Sequence, residues 1–261
     1  MSTHSFPDIR KSRVLISNDD GFHAPGIKAL TKVITGLARE VWVIAPAEEQ
    51  SCAGHALTLR QPLRIQKRAP RRYTVDGTPT DSILLGLHQV MRDCRPDLVI
   101  SGINKGGNLG DDVTYSGTIA AAMESTILGV PSIAFSQHYQ DNHPVKWATG
   151  THWIPEVLKK LKGLQLPNNS LLNVNFPDVI ASSVTGIDVT RQGARKFNDV
   201  IQPGSDPRGN PYYWIGAQQL ETRNAKGTDM SSVLAGAISI TPLSVDLTDR
   251  KTTKSLKDVF H

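Results

Sequence analysis

Short apolar runs rich in Val and Ile alternate with segments of helical periodicity along most of the chain. A strand predicted at 14–17 is followed by a helix from Pro25 and then by a second strand, VWVIAP. The buried stripe of this helix is expected at three- and four-residue spacing: Ile27, Leu30, Ile34 and Leu37. Such alternation predicts a doubly wound α/β fold, in which helices cover both faces of a mostly parallel sheet.

The alternation continues to about residue 180 through the apolar runs DLVI, PSIAFS and LLNVNFP. Beyond about residue 186 it changes to short predicted strands interrupted by QPGSDPRGNP, followed by one more strand at ISITPLSVDLT. The sequence therefore predicts three parts, of which the last two form a single domain: a loose, polar N-terminal arm at 1–12, a core at 13–185, and a C-terminal β-rich extension with a tail at 186–261.

The composition is that of an ordinary globular protein. Hydrophobic residues make up 39% and charged residues 20%, which argues against disorder, and no run of about 18 uncharged apolar residues could span a membrane. The first dozen residues contain no apolar stretch of the kind that a secretory signal requires. Two cysteines are too few to suggest a disulfide scaffold or a four-ligand zinc site. We therefore expect a cytoplasmic protein with no membrane partner.

A run of basic residues admits two interpretations. It contains no acidic residue and comprises Arg60, Arg64, Lys67, Arg68, Arg71 and Arg72. Such a run is usually a solvated face, although it also suits anionic ligands such as nucleotides or RNA. Aromatic residues that would stack on bases are nearly absent from it, which favours the solvated face. Nucleic acid is therefore not the expected partner.

Two adjacent carboxylates, Asp19 and Asp20, follow the first predicted strand in the segment ISNDDGF. Neighbours in an extended strand point to opposite faces, so the chain must turn near Gly21 if both carboxylates are to reach one ligand. Two close carboxylates repel each other, and one pKa rises strongly unless a cation lies between them. A metal site would resolve this conflict; the alternative is that one Asp caps the next helix and the other is solvated.

Further polar residues are predicted at the same edge of the sheet, where open α/β sheets bind ligands. Ser51 follows the second strand, and Asn104 follows the third. Hydroxyl, amide and carboxylate oxygens suit a hard ion such as Mg²⁺ or Mn²⁺, whereas His23 and His55 have no partner at ligand spacing. These residues favour a divalent metal site over the alternative.

The glycine-rich segment SGINKGGNLG, at 101–110, is not a Walker A motif because it lacks the terminal Gly-Lys-Ser/Thr. It precedes Ser116, Gly117 and Thr118, which open a predicted helix. N–H groups at a helix start bind phosphate readily, although Ser and Thr at this position also cap helices. A metal site beside a phosphate cradle favours phosphate-ester chemistry.

Several longer motifs occur in order along the chain: ISNDDG, VDGTPTD, SGIN…NLGDDV…YSGT, LNVNFP, DPRGNPYYW and ISITPL. Together they closely resemble the SurE survival-protein family of nucleotide 5′/3′-phosphatases, from about residue 13 to about residue 248. The resemblance implies a Rossmann-like core, one divalent metal ion per subunit, and hydrolysis of nucleoside 5′- and 3′-monophosphates, with short polyphosphate as a further substrate. It also implies homodimers or homotetramers that exchange elements of the C-terminal extension.

The resemblance further assigns site residues by position. The implied metal ligands are Asp19, Asp20, Ser51 and Asn104. The implied phosphate-binding residues are Asn104, Asn108, Ser116, Gly117 and Thr118. The residues expected to act in catalysis are Asp19, Asp20, Asn108 and Ser116.

Two questions stay open at this level. Cys52 stands where the family usually has glycine, which makes the conformation of Ser51 less secure than that of the other ligands. The attacking nucleophile is either water or Asp19, and the sequence does not decide between them. The rival function is a nucleotide- or RNA-binding stress protein with little turnover.

Overall fold

A computed structural model describes residues 2–140, 142–196, 201–215, 221–222 and 225–260. The strands among these residues are β1 (Thr3–Ser5), β2 (Arg13–Ser17), β3 (Glu40–Pro46), β4 (Ile65–Ala69), β5 (Arg72–Val75), β6 (Leu98–Lys105), β7 (Ser132–Gln137), β8 (Gln165–Pro167), β9 (Ser170–Phe176), β10 (Ile187–Val189), β11 (Arg195–Lys196), β12 (Ile201–Ser205), β13 (Pro211–Ile215), β14 (Glu221–Thr222) and β15 (Ile238–Ser244).

The α-helices of the described residues are α1 (Pro25–Thr35), α2 (Pro79–Leu85), α3 (Gly117–Ile127), α4 (Trp147–Leu161), α5 (Asp229–Leu234) and α6 (Arg250–Phe260). Local sequence explains where two of them begin: Pro25 occupies the first turn of α1, and Thr78 and Asp81 form a capping box at the start of α2. None of the helices in this part of the chain has the length and hydrophobicity needed to cross a bilayer.

Nine strands form the central sheet, in the order β10-β15-β9-β7-β6-β2-β3-β5-β4. The strands from β9 to β5 in this order run parallel, whereas β4 and β15 pair antiparallel with their neighbours β5 and β9. After β2, the strands β3 and β5 lie on one side of β2 in the sheet. The later strand β6 lies on the other side of β2. The winding therefore reverses between β2 and β6, and the carboxyl ends of these two strands define the switch point.

Apolar layers cover both faces of the sheet. On one face, Leu30 of α1 and Ile154 of α4 pack in a core with Ile16 of β2. On the other face, Ile83 of α2 packs in a core with Leu15 of β2, because successive strand residues point to opposite faces. This arrangement confirms the predicted doubly wound, Rossmann-like α/β fold.

The N-terminal arm is not loose, contrary to the expectation from its polar composition. Thr3–Ser5 pairs antiparallel with Gln165–Pro167. Phe6 and Ile9 are buried in the core beneath α1 and α4, and the Phe6 N–H donates to the Leu164 carbonyl at 2.8 Å. Two buried apolar side chains thus anchor a segment whose other residues are mostly polar.

The predicted β-rich C-terminal extension divides between the central sheet and its surroundings. β15 and β10 extend the sheet beyond β9, and Pro242 of β15 lies past the residues that pair with β10. The hairpin of β12 and β13 stands outside the sheet and exposes Tyr213, Trp214 and Ile215. Helix α6 has no buried residue.

Candidate active site

The paired carboxylates lie directly beyond the carboxyl end of β2, at the switch point. Gly21, next in the chain, has a φ of +92°, a backbone conformation that strongly favours glycine. A Cβ at this position would lie 3.1 Å from the backbone carbon of Glu48, so the turn also packs closely on the segment after β3. The required turn therefore occurs where the sequence predicts it, and Gly21 permits it.

Asp19 is 5% exposed and lies against the start of α3. Its Oδ1 accepts a hydrogen bond from the Thr118 hydroxyl, and a Cβ added to Gly117 would come within 2.6 Å of the Asp19 Cβ. Burial raises the pKa of Asp19 to about 7, repulsion from Asp20 adds to the rise, and the Thr118 hydrogen bond opposes it. The structure thus brings three predicted site residues, Asp19, Gly117 and Thr118, into direct contact.

Asp20 contacts the end of β6. Its Oδ2 accepts a hydrogen bond from the Lys105 N–H at 3.1 Å, which places it beside the backbone that follows Asn104. Burial raises the pKa of Asp20, and the negative charge of Glu49 acts in the same direction, whereas the Lys105 N–H opposes the rise. The second carboxylate of the pair is therefore also in an environment that disfavours its charge.

The carboxylate pair fits a divalent cation. Neither Asp19 nor Asp20 forms an ion pair within the described part of the chain. A hard cation would offset the burial and repulsion that raise both pKa values. No group of three or more His, Cys, Asp or Glu side chains suited to a metal occurs among the described residues, so hydroxyl or amide oxygens would have to complete the coordination shell.

Ser51 lies on the segment that runs past Asp19, since the neighbouring Gln50 N–H donates to the Asp19 carbonyl at 2.8 Å. The Ser51 hydroxyl is exposed and donates to Glu49 Oε1 at 2.7 Å. Cys52 has a φ of +61°, in the left-handed region. Glycine adopts this backbone conformation with less strain than cysteine does.

Asn104 lies within β6 rather than in a loop, because this strand continues to Lys105. The predicted glycine-rich loop therefore begins later than the sequence suggests. Asn104 pairs with Ser136 of β7, and its Nδ2 donates to the Gly106 carbonyl at 3.0 Å. Asn104 therefore lies in the last part of β6, at the switch point, and its role as a ligand stays a prediction.

Asn108 is buried and lies near β7 and β9, in the half of the sheet on the other side of β6 from β2. Its backbone N–H donates to Asn175 Oδ1 at 2.8 Å, and its side-chain Nδ2 donates to the Ser136 hydroxyl at 2.7 Å. Its carbonyl accepts hydrogen bonds from the side-chain amides of both Asn173 and Asn175. Among the described side chains, its polar contacts are thus with β7 and β9 rather than with the carboxylate pair.

Ser116 caps helix α3, because its hydroxyl accepts a hydrogen bond from the Ile119 N–H at 3.1 Å. The first helical backbone bond runs from the Ala120 N–H to the Ser116 carbonyl, so the N–H groups of Gly117 and Thr118 precede the helical ladder. Ser116 is therefore a helix cap, which was one of the two roles considered from the sequence. The backbone of Gly117 and Thr118 presents the N-terminal end of α3 beside Asp19.

Sequence reasoning did not single out Glu49, Asn173 or Asn175 as site residues. Glu49 was not distinguishable from other acidic loop residues, because its contact with Ser51 depends on the tertiary fold. A signal for the two asparagines is present in the motif LNVNFP, where polar residues alternate with apolar ones in a strand that is otherwise apolar.

Comparisons with known proteins identify the family of the chain. The family model "Survival protein SurE" matches residues 14–199. A 5′-nucleotidase SurE of Paramagnetospirillum magneticum is 59% identical, with 95% of each chain covered. The 5′-nucleotidase SurE of Rhodospirillum rubrum is 49% identical over 97% of this chain and 98% of its own.

A solved structure agrees with the fold as well. The crystal structure of the SurE protein from Aquifex aeolicus superposes with a TM-score of 0.83 at 42% sequence identity, covering 95% of this chain and 100% of that one. Family model, relatives and structure all extend over most of the chain. The chain therefore belongs to the SurE survival-protein family.

Proposed function

We propose that the protein is a 5′-nucleotidase that hydrolyses nucleoside monophosphates to nucleoside and phosphate. The single observation that carries this proposal is the contact between the buried carboxylate pair and the start of α3, where Thr118 donates to Asp19. This contact puts acidic residues suited to a cation beside helix N–H groups suited to a phosphate. The relatives named 5′-nucleotidase share the sequence over nearly its whole length.

Asp19, Asp20, Ser51 and Asn104 would hold one Mg²⁺ or Mn²⁺ ion per subunit, and the oxygen chemistry of all four side chains suits such an ion. When bound, this ion would polarise the phosphoryl group and neutralise charge that develops on it. Glu49, through its contact with Ser51, would orient the serine hydroxyl.

The other residues would bind and orient the substrate. The N–H groups of Gly117 and Thr118 would donate to phosphoryl oxygens at the N-terminal end of α3. The amides of Asn104 and Asn108 would stabilise charge on these oxygens in the transition state, and Ser116 would keep the helix start fixed through its cap. Close packing of Gly117 on Asp19 would keep the phosphate cradle next to the carboxylate pair.

Water is our proposed nucleophile, with Asp19 as the alternative. Asp19 is 5% exposed and already accepts a hydrogen bond from Thr118, which favours a holding role. Hydrolysis of an isotopically chiral nucleoside phosphorothioate in labelled water separates the two mechanisms, because a single displacement by water inverts the configuration at phosphorus. Attack by Asp19, followed by attack of water on the aspartyl-phosphate, would be two displacements and would retain the configuration.

The basic segment gives less support to the rival function of RNA binding. Arg71 pairs with Glu40 at 3.4 Å, Arg64 pairs with Asp76 at 3.8 Å, and the Arg68 guanidinium donates to Thr74 at 3.0 Å. Several of these cations are thus engaged within the protein.

We also propose that the same site accepts 3′-nucleotides and short polyphosphate. The protein is proposed to be cytoplasmic, in keeping with its unpaired cysteines.

The proposed function is tested with purified protein that is stripped of metal and then restored with Mn²⁺ or Mg²⁺. Phosphate release from a panel of 5′- and 3′-nucleotides should depend on the added metal. Asp20→Asn should lower turnover by at least about 10³-fold, because it removes a charged ligand. Asp93→Asn, at an exposed site, is the matched control and should retain full activity. A folded Asp20→Asn protein with wild-type turnover would refute the proposal.

We propose in addition that the C-terminal extension joins subunits into homodimers or homotetramers. The hairpin of β12 and β13 exposes Trp214 at 67% and Ile215 at 92%, which is more apolar surface than an isolated hairpin should leave in water. Trp214→Glu should therefore lower the molar mass measured by light scattering during size exclusion. Ile127→Glu, at an exposed end of α3, is the control and should leave the mass unchanged.

A further inference from the structure

Two asparagines lie at unexpected positions in the core of the sheet. Asn173 and Asn175 occupy alternate positions of β9, and both side chains are fully buried. Their neighbours in this strand, Leu172, Val174 and Phe176, are apolar core residues on the opposite face. Asparagine has a low strand propensity, and burying its amide is costly unless the amide is hydrogen-bonded. The two residues therefore require an explanation beyond the stability of the sheet.

Both side chains converge on the backbone of one residue, Asn108. Asn173 Nδ2 donates to the Asn108 carbonyl at 2.8 Å, and Asn175 Nδ2 donates to the same oxygen at 3.1 Å. Asn175 Oδ1 accepts the Asn108 N–H at 2.8 Å, while Asn175 Nδ2 also donates to Asn173 Oδ1 at 3.1 Å. The donor and the acceptor of the Asn108 backbone are thus both held by side chains of a rigid strand.

A third strand residue holds the Asn108 side chain. Ser136 of β7, which pairs with Asn175 in the parallel register, accepts a hydrogen bond from Asn108 Nδ2 at 2.7 Å. Both ends of Asn108, backbone and amide, are therefore fixed to adjacent strands. A buried network in which the members satisfy one another confers rigidity, whereas the same groups left unpaired would destabilise the fold.

We propose that Asn173 and Asn175 are positioning residues that hold Asn108 in the orientation required for phosphoryl transfer. This inference rests on the proposed function and on the role of Asn108 in it. The two asparagines act through Asn108 and do not touch substrate themselves. Their hydrogen bonds fix the backbone of Asn108. The side-chain amide of Asn108 is therefore already in position when charge develops on the phosphoryl group.

The test is a double-mutant cycle on turnover. Asn173→Ala and Asn175→Ala should each lower kcat by roughly 10- to 100-fold with little change in KM, since misplacing a catalytic group has effects of this size. In an Asn108→Ala background, the same substitutions should change kcat by less than about twofold, because the residue through which they act is gone. Equal losses in both backgrounds, or wild-type kcat in the single variants, would overturn the inference.

Thr241→Val is the matched control for structural damage. Thr241 lies on β15 opposite Asn173, is buried, and shares one hydrogen bond with Thr190 at 2.7 Å. This variant also loses a buried hydrogen bond, so its melting temperature should fall, while kcat should stay unchanged. If Asn175→Ala does not fold, the test relies on Asn173→Ala. This variant keeps both hydrogen bonds between Asn175 and Asn108.

Hydrogen exchange provides a readout that is independent of catalysis. Peptides that contain residues 106–112 should exchange faster in Asn173→Ala than in the wild type, whereas Thr241→Val should leave their exchange unchanged. Unchanged exchange in Asn173→Ala would overturn the inference even if kcat falls. Absence of nucleotide turnover in the wild type would instead refute the proposed function, and the exchange comparison would still decide whether the asparagines hold the loop.

Discussion

Two acidic sites in this protein have opposite electrostatics. Asp19 is 5% exposed, and burial raises its pKa to about 7. Asp178, which precedes the segment 181–183 that packs on α4, is less buried than Asp19 as a whole residue, although its side chain is 6% exposed. Burial acts to raise the pKa of Asp178 as well, but hydrogen bonds from Lys146 and His143 outweigh it and lower the pKa below 3.8. Burial acts in the same direction at both sites and therefore does not by itself determine the charge state.

The difference lies in the partners that the chain supplies. Asp178 has a cationic neighbour, Lys146, and a second hydrogen-bond partner, His143, and is complete as a structural site. Asp19 has a hydroxyl from Thr118 and a second carboxylate nearby, which leaves negative charge to be balanced from outside. A buried carboxylate without a cation within the protein is a candidate ligand site, whereas one with cations is a candidate stabilising contact.

The largest expected effect is stabilisation by metal at the Asp19 site. At a hundredfold excess over its Kd, Mn²⁺ should raise the free energy of unfolding by about 2.7 kcal/mol. Because the pKa of Asp19 is raised from 3.8 to about 7, the metal-free protein loses stability as pH rises through this interval. Below pH 7, metal must displace a proton, so affinity should fall about tenfold per pH unit. Thermal unfolding at pH 5.5 to 8.5, with and without Mn²⁺, measures the stabilisation by the metal and its dependence on pH.

The control for this prediction is Asp20→Asn, which should lose most of the Mn²⁺ stabilisation at pH 8. Asp93→Asn should retain all of it. A stabilisation by Mn²⁺ that is the same at every pH would show that Asp19 is not a ligand, and the contrast with Asp178 would then lose its functional meaning.

A smaller effect is expected at the complete site. Asp178→Asn should lower the free energy of unfolding by roughly 2 kcal/mol at pH 7, because hydrogen bonds to charged groups are lost. The folded-state pKa of Asp178 is depressed, so its contribution is present above about pH 4 and is lost as pH falls through the folded value. Urea denaturation of both proteins between pH 7 and pH 3 should therefore show the difference shrinking only in acid. A difference that shrinks between pH 7 and pH 5 would contradict this account.

Much of the fold follows from the sequence, including the elements that position the candidate site. Residue patterns within one element were sufficient for the strand before Asp19, for the helix after Gly21 and for the cap at Ser116, since hydrophobic period and capping are local. The anchored arm was missed because Phe6 becomes a core residue only after β8 forms beside it. Burial of a lone aromatic residue is not visible in a polar segment.

The charge state of each carboxylate could not be predicted for a related reason. Asp178 and its partner Lys146 are 32 residues apart, and Asp19 and Thr118 are 99 residues apart. Which cations reach which carboxylate depends on how strands and helices assemble, and a pattern along the chain does not contain this information. The motif LNVNFP contains two asparagines in an otherwise apolar strand, but their contact with Asn108 depends on the fold.

The smallest expected effect concerns backbone strain, which also differs between the two sites. Cys52, beside Ser51, has a φ of +61°, and Asn142, beside His143, has a φ of +68°. Asparagine tolerates this left-handed region, whereas cysteine does so at a cost of about 1–2 kcal/mol. Glycine relieves this strain, but its greater conformational entropy in the unfolded chain lowers the free energy of unfolding by about 0.5–1 kcal/mol. Cys52→Gly should therefore stabilise the protein by only about 0.5 kcal/mol.

Asn142→Gly is the matched control and should give no gain, because asparagine at that position carries little strain to relieve. Cys52→Ala retains the Cβ and should also give no gain, which separates strain from loss of the thiol. Urea denaturation at pH 7 with global fitting of all three variants measures these differences. A gain in Cys52→Ala equal to that in Cys52→Gly would assign the effect to the thiol. A gain confined to Cys52→Gly means that the protein holds Ser51 beside the carboxylate pair in a strained loop, whereas the complete site at Asp178 needs no such strain.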